Sequence, residues 1–236
     1  MVHSSGNAVE GRRVTALTAT PSGPVAAPAP PLPAVDWTGY QPVEFSWSAL
    51  PIGVVADVGC GTGNELVNLR EMGHSAFGID LDERSLEECR SRGLRVVKAS
   101  AHALPVRTAS LDGAVCKVVL AYTDEARAMA EIARVLKAGG VGRLCYHGAG
   151  YYVRYLLAAR TWKYRAYGLR TLLSTWFYAA TGRRLPGFLG DTLYQSERRL
   201  ARYYRRHGLR LWKATATREF LGFPVFIYHT VTKVAP

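Results

Sequence analysis

No apolar run in this chain of 236 residues approaches the roughly 18 needed to cross a bilayer, so a membrane-spanning helix is not expected. The opening Met1-Val-His-Ser-Ser-Gly6 lacks an apolar core behind a basic cluster, which argues against a secretory signal. Arg12 and Arg13, with few acids nearby, are a weak transit-like feature. Cysteine is sparse: Cys60, Cys89, Cys116 and Cys145 are scattered, with no CxxC pair and no histidines at zinc spacing. A disulfide framework and a metal site are therefore not expected, and a reducing, cytoplasmic setting is the default. Acids are also short, 18 against 30 Lys and Arg, which leaves a net charge of +12, and none occurs from Ile132 to Gly190. Such a balance attracts anions without naming one; nucleic acid, an anionic lipid surface and acidic small molecules all fit.

Apolar residues make up 48% of the chain, enough for one domain with a full core. Residues 1–35 are rich in Ala, Pro, Ser, Thr and Gly and read as a flexible tail, too apolar-poor to offset its ordering entropy. The fold is expected over 36–236, starting where Trp37, Tyr40, Phe45 and Trp47 arrive in quick succession. From residue 52 short apolar runs, the first of them rich in β-branched residues, alternate with longer amphipathic ones. Strands are expected at 52–58, 75–80, 94–98, 113–120 and 141–147, with helices at 64–71, 83–92 and 125–136 between them. That alternation implies parallel crossover units and an open α/β sheet. A helix at 196–207 precedes two runs, 209–219 and 225–234, joined by Leu221-Gly222-Phe223-Pro224. Strands joined so closely must be antiparallel.

The most informative segment is Val54-Val55-Ala56-Asp57-Val58-Gly59-Cys60-Gly61-Thr62-Gly63-Asn64. A strand runs into three glycines at alternate positions and then into a helix, so the backbone can turn tightly and approach a ligand beside unpaired helix N–H groups. A dinucleotide fingerprint would be GxGxxG, but Asn64 stands where its third glycine would be. Asp57, two residues before the first glycine, would repel a pyrophosphate and favour a sulfonium or ammonium group. The loop therefore suits a cationic amino-acid ligand.

These residues closely resemble motif I of the class I S-adenosylmethionine (SAM)-dependent methyltransferases, written (D/E)xGxGxG. The resemblance continues through Phe77-Gly78-Ile79-Asp80, the run Ala99–Pro105, the block Leu111–Leu120 and the block Glu131–Gly140, all in family order over residues 52–147. The first blocks also resemble the ubiquinone/menaquinone-biosynthesis branch. The resemblance implies a Rossmann-like, seven-stranded, mostly parallel sheet with a C-terminal antiparallel hairpin, and SAM as cofactor. It places Gly59, Cys60, Gly61, Thr62 and Gly63 around the methionine end, with Asp57 near the amino group and Asp80 and Leu81 at the ribose. Ser100, Ala101 and His102 fall by the adenine, Ser100 replacing an Asp usual in the family. Cys116 and Lys117 close the set at the fourth strand's end.

Ligands of open α/β sheets lie beyond the carboxyl ends of the strands. Two side chains there are candidates for catalysis. His147 ends the fifth strand and has an ordinary pKa suited to accepting a proton. Tyr122, just past the fourth, is better suited to positioning by hydrogen bond. Residues 148–195 are too long for an ordinary connection and carry dense aromatics; in similar small-molecule methyltransferases an insertion here is a helical lid over the acceptor. Tyr151, Tyr152, Tyr155, Trp162 and Trp176 are its candidate substrate contacts. A membrane-surface role fits the same composition, although Arg154, Arg160, Lys163 and Arg165 do not share one helical face. Arg198, Arg199, Arg202, Arg205 and Arg206 fall within an arc of about 120° and are expected to form a solvated basic face.

The expectation is methyl transfer to a small, largely apolar or aromatic acceptor such as a secondary metabolite, by in-line displacement with possible general-base help. The alternatives are a membrane-associated lipid or quinone, RNA, and a non-catalytic SAM-binding partner role. Nucleic acid is disfavoured because Lys117-Val-Val-Leu-Ala-Tyr122 stands where amino-directed nucleic-acid methyltransferases carry an Asn/Asp-Pro-Pro-aromatic run.

Overall fold

The computed structural model describes residues 50–216 and 219–235. The expected tail and the aromatic start of the fold, Trp37 to Trp47, lie outside the described residues. The elements in chain order are β1 (Val54–Val58), α1 (Asn64–Glu71), β2 (Ser75–Asp80), α2 (Glu83–Ser91), β3 (Val96–Lys98), β4 (Leu111–Lys117), α3 (Glu125–Val135) and β5 (Leu136–His147). They continue with α4 (Ala149–Ala158), α5 (Trp162–Thr181), α6 (Glu197–Arg206), β6 (Leu209–Ala216), β7 (Glu219–Phe220), β8 (Phe223–Pro224) and β9 (Phe226–Lys233). Seven strands form one sheet in the order β3-β2-β1-β4-β5-β9-β6. The pairs among β1 to β5 are parallel, and β9 runs antiparallel between β5 and β6. The expected fold class, a Rossmann-like sheet ending in an antiparallel hairpin, is what the chain forms.

The strand period of two splits β1 between two cores. Ala56 and Val58 pack with Met129 and Ile132 of α3 and Leu200 and Tyr204 of α6. Val55 packs with Leu66 and Leu69 of α1 and Leu86 and Cys89 of α2. All four cysteines are buried and free, filling the interior as small apolar groups.

Several expectations need correction. β5 begins at Leu136, not 141, because its chain pairs with Leu111 of β4 before the Gly139–Gly140 bend. β4 ends at Lys117, not 120, because Val118 takes a left-handed φ of 64° that no strand can continue through. The terminal connection is not a simple turn: β7 and β8 form their own small ribbon, with Phe220 opposite Phe223. Arg199 does not join the basic face of α6. It turns inward and pairs with the buried Glu125 of α3, which also accepts from the Tyr203 hydroxyl at 2.8 Å.

The third core holds the helical pair. Tyr151, Tyr152 and Tyr155 of α4 pack with Phe226 and Tyr228 of β9, and with Tyr164 and Tyr167 of α5. The two helices cross closely because Gly168 has no side chain: a Cβ there would lie 2.6 Å from the Tyr152 carbonyl oxygen.

Candidate active site

The ends of β1, β2 and β4 border one cavity of about 320 Å³. Gly59, Ile79, Asp80, Leu81, Ala99 to His102, Lys117 to Val119, Tyr122 and Thr123 line it. Its floor is backbone held by local geometry. Gly59, Gly61 and Gly63 all have positive φ, at 75°, 49° and 83°. A Cβ on Gly59 would collide with the Val119 side chain, and one on Gly63 with Leu94 and Cys89, whereas nothing lies within 4 Å of one on Gly61. The loop is therefore packed from beneath at its two ends and open at its centre. Val119 is thrust against Gly59 by the strained Val118, whose N–H donates to the Cys145 carbonyl at 2.9 Å.

Carboxylates define the polar side of the cavity. Asp80 accepts the Gly61 N–H at 2.8 Å on one oxygen and the Leu81 and Asp82 N–H groups at 2.7 and 3.0 Å on the other. It thus ties the glycine loop to the end of β2 and keeps acceptor capacity on the oxygen that holds Gly61. Asp57 is buried, and its Oδ2 finds no donor among the described residues. Burial first, then the Glu65 carboxylate, pushes its pKa up to about 8, against the pull of Lys117. The Lys117 ammonium, on the cavity wall, pairs with Glu65 at 2.5 Å. An orphaned buried carboxylate of this kind is a receptor for a cation.

On the opposite side, the Ser100 hydroxyl accepts the His102 N–H at 3.2 Å, and His102 Nε2 accepts the Asp124 N–H at 2.9 Å at the start of α3. His102 is therefore a neutral wall residue whose pKa burial lowers. Tyr122 stands at the rim. Burial, together with the neighbouring tyrosine hydroxyls, raises its pKa, so it remains a phenol. Its ring meets that of His147 edge to face, 6.3 Å between centroids, and His147 in turn stacks on Tyr151 of α4.

His147 is not on the cavity wall. It is buried, stacked on Tyr151 at 3.7 Å between ring centroids, with Nδ1 3.3 Å from the Tyr152 hydroxyl. Burial drives its pKa down to about 3, so the ring is neutral near pH 7. Tyr151, Tyr152 and Tyr155 likewise lie inside the helical pair rather than on the lining. Trp162 and Trp176 are 74% and 70% exposed: α5 turns Gly168, Thr171, Ser174 and Thr175 inward and both indoles outward. Neither indole borders this cavity. Of the residues placed at the donor, Asp57, Cys60, Gly61, Thr62, Gly63 and Cys116 lie beneath or beside the lining, and the rest are on it. Val118 was expected at the crevice with Cys116 and Lys117, whereas Ile79, Ala99, Val119 and Thr123 were not anticipated. Ile79 and Ala99 flank anticipated residues, but no pattern betrays the turn at Val118.

Residues 56–143 match a family model described as a methyltransferase domain. The chain is 37% identical over 103 residues to the tRNA (carboxymethyluridine(34)-5-O)-methyltransferase ALKBH8 of Mus musculus, covering 42% of this chain and 15% of that protein. It is 31% identical over 105 residues to the uncharacterized methyltransferase Rv3342 of Mycobacterium tuberculosis, covering 43% of each. It thus spans less than half the length of these curated relatives. The crystal structure of an S-adenosylmethionine-dependent methyltransferase from Mesorhizobium loti shares the fold, with a TM-score of 0.59 at 20% identity over 80% of this chain and 97% of that one.

Proposed function

We propose, from the premise that this chain carries a class I SAM-dependent methyltransferase domain, that it methylates a small, largely apolar or aromatic acceptor admitted beside Tyr122 and the α4–α5 pair. The observation that carries the donor half is Asp57: a buried carboxylate oxygen without a donor, behind a loop that is open only at Gly61. Those residues fit SAM, which is cationic at both its amino group and its sulfur. Asp57 would answer the amino group, the free acceptor capacity of Asp80 the ribose, and Ala99 to His102 the adenine. When bound, SAM supplies a methyl group already activated by its sulfonium.

What remains for the protein is alignment and exclusion of water. Val118 and Val119 give the cavity an apolar wall beside Tyr122. The Tyr122 hydroxyl, at the cavity rim, orients the acceptor. His147, neutral and enclosed by Tyr151 and Tyr152, packs edge-on to Tyr122 away from the cavity wall and takes no proton, so the acceptor brings its own nucleophilic lone pair or anion.

A second reading rests on the ALKBH8 similarity together with the net charge of +12: methyl transfer to RNA. One experiment tests both. The purified chain is titrated with S-adenosylhomocysteine by calorimetry, then supplied with methyl-labelled SAM and either a panel of small phenols, catechols and quinols or bulk tRNA. Label in the small acceptors is the expected result. Label in tRNA alone transfers the proposal to RNA, and absence of binding removes the donor site altogether.

A further inference from the structure

The fully buried positions of helix α5 are small or polar, Gly168, Thr171, Ser174 and Thr175, with Tyr164, Tyr167 and Leu172 partly buried beside them. Its solvent face carries Trp162, Ala166, Leu169, Leu173, Trp176 and Ala180, spaced alternately four and three residues apart within an arc of about 80°. Trp162, Leu173 and Trp176 are more than half exposed. Phe188, from the turn after α5, adds a 72% exposed ring beside the stripe, under the Arg170 guanidinium at 3.9 Å. An apolar stripe about 25 Å long on the outside of a helix costs solubility unless something covers it.

Charge selects what covers it. Arg160, Lys163, Arg165 and Arg183 are exposed around the stripe, and no acid lies in the sequence from Ile132 to Gly190. A four-three repeat also pairs helices, but a second copy would bring the same cations together with no acid of this segment to answer them. Anionic headgroups do answer them, and indoles at both ends of a leucine stripe suit the boundary between headgroup and acyl chain. The objection that the basic residues share no helical face dissolves in the structure. Arg154 is buried on α4, Arg160 precedes α5, and Lys163 and Arg165 belong to it on either side of the stripe, as does Arg170, which pairs with Asp191 at 2.8 Å. Among the described residues no helix is long and apolar enough to cross a membrane, so the contact would lie along the surface.

We propose that α5 docks this chain on the surface of an anionic lipid bilayer, with the Trp162–Trp176 stripe inserted below the headgroups and the flanking cations among them. This inference stands whether or not the cavity transfers methyl groups. The test is co-sedimentation of the full chain with vesicles of phosphatidylcholine, with and without phosphatidylglycerol. Binding is expected to the mixed vesicles. The charge-neutral double variant Leu169→Asn/Leu173→Asn is expected to bind them about tenfold or more weakly, while binding S-adenosylhomocysteine as the parent does, which reports an intact fold. The proposal is overturned if the parent ignores anionic vesicles, or if the variant binds them equally well, as diffuse attraction by net charge would predict. It is also overturned if light scattering shows a parent dimer that the variant loses, since a second copy then fills the stripe.

Discussion

The bend after β1 and the pair α4–α5 face each other across Tyr122 and are built from opposite materials. The bend is backbone: three glycines with positive φ, a carboxylate tying them to β2, and one orphaned acid behind. The helical pair is side chain: tyrosines stacked and hydrogen-bonded among themselves, with a neutral histidine in their midst. A ligand common to a whole family is suitably held by backbone, whose positions survive sequence change. An acceptor particular to one protein is suitably held by side chains, which can be exchanged without disturbing the sheet. If the division holds, damage to the bend should abolish donor binding, and damage to the tyrosines should leave donor binding alone.

The largest effect is expected from Gly59→Ala. The new methyl group meets Val119 and must adopt a φ of 75°, so stability should fall by about 3 kcal/mol in denaturant titration. Affinity for S-adenosylhomocysteine should be lost with it. Tight binding by this variant would show that the bend is not the donor floor.

Asp57→Asn is the next in size and separates donor binding from stability. The folded chain keeps the Asp57 proton up to about pH 8, whereas an ordinary carboxyl releases it near 3.8. The stabilisation from that retained proton is complete below 3.8 and is lost as pH rises toward 8. The variant should therefore gain thermal stability relative to the parent across that interval, the margin widening with pH. Its donor affinity should fall by roughly 2 kcal/mol or more, since a neutral amide cannot answer a cation. In the parent, calorimetry in buffers of different ionisation enthalpy should reveal proton release on donor binding below pH 8. A pH-independent stability difference would place the proton elsewhere.

Tyr122→Phe sharpens the other side of the comparison. Donor affinity should stay unchanged, while kcat/KM for the acceptor falls about tenfold, the size of one lost orienting hydrogen bond. A changed donor affinity would mean that the two regions are not separable.

Much of the bend was legible because its requirements are local. Positive φ favours glycine, so GxGxG declares its geometry, and Asp80 at the end of a short apolar run declares its place at the carboxyl end of a strand. The helical pair was legible in composition and not in direction. Dense tyrosine and tryptophan announced an aromatic layer, but helical spacing alone cannot say which face turns inward. Here the close crossing at Gly168 decides it, burying threonines and serines and leaving Trp162 and Trp176 outside. His147 was placed correctly at the end of β5, yet its chemistry depends on Tyr151, Tyr152 and Phe226, which arrive from other elements.

The sequence by itself determined the parallel sheet, its antiparallel close and the glycine bend, because hydrophobic period, glycine torsion and connection length act over a few residues. Only the tertiary structure decided that Val118 turns out of its strand, that the Asp57 Oδ2 is buried with no donor among the described residues, that His147 is buried among tyrosines and that α5 shows its apolar stripe to the outside. Those four outcomes depend on which distant segments come to rest against a residue, and that is settled by packing across the sheet rather than by neighbours along the chain.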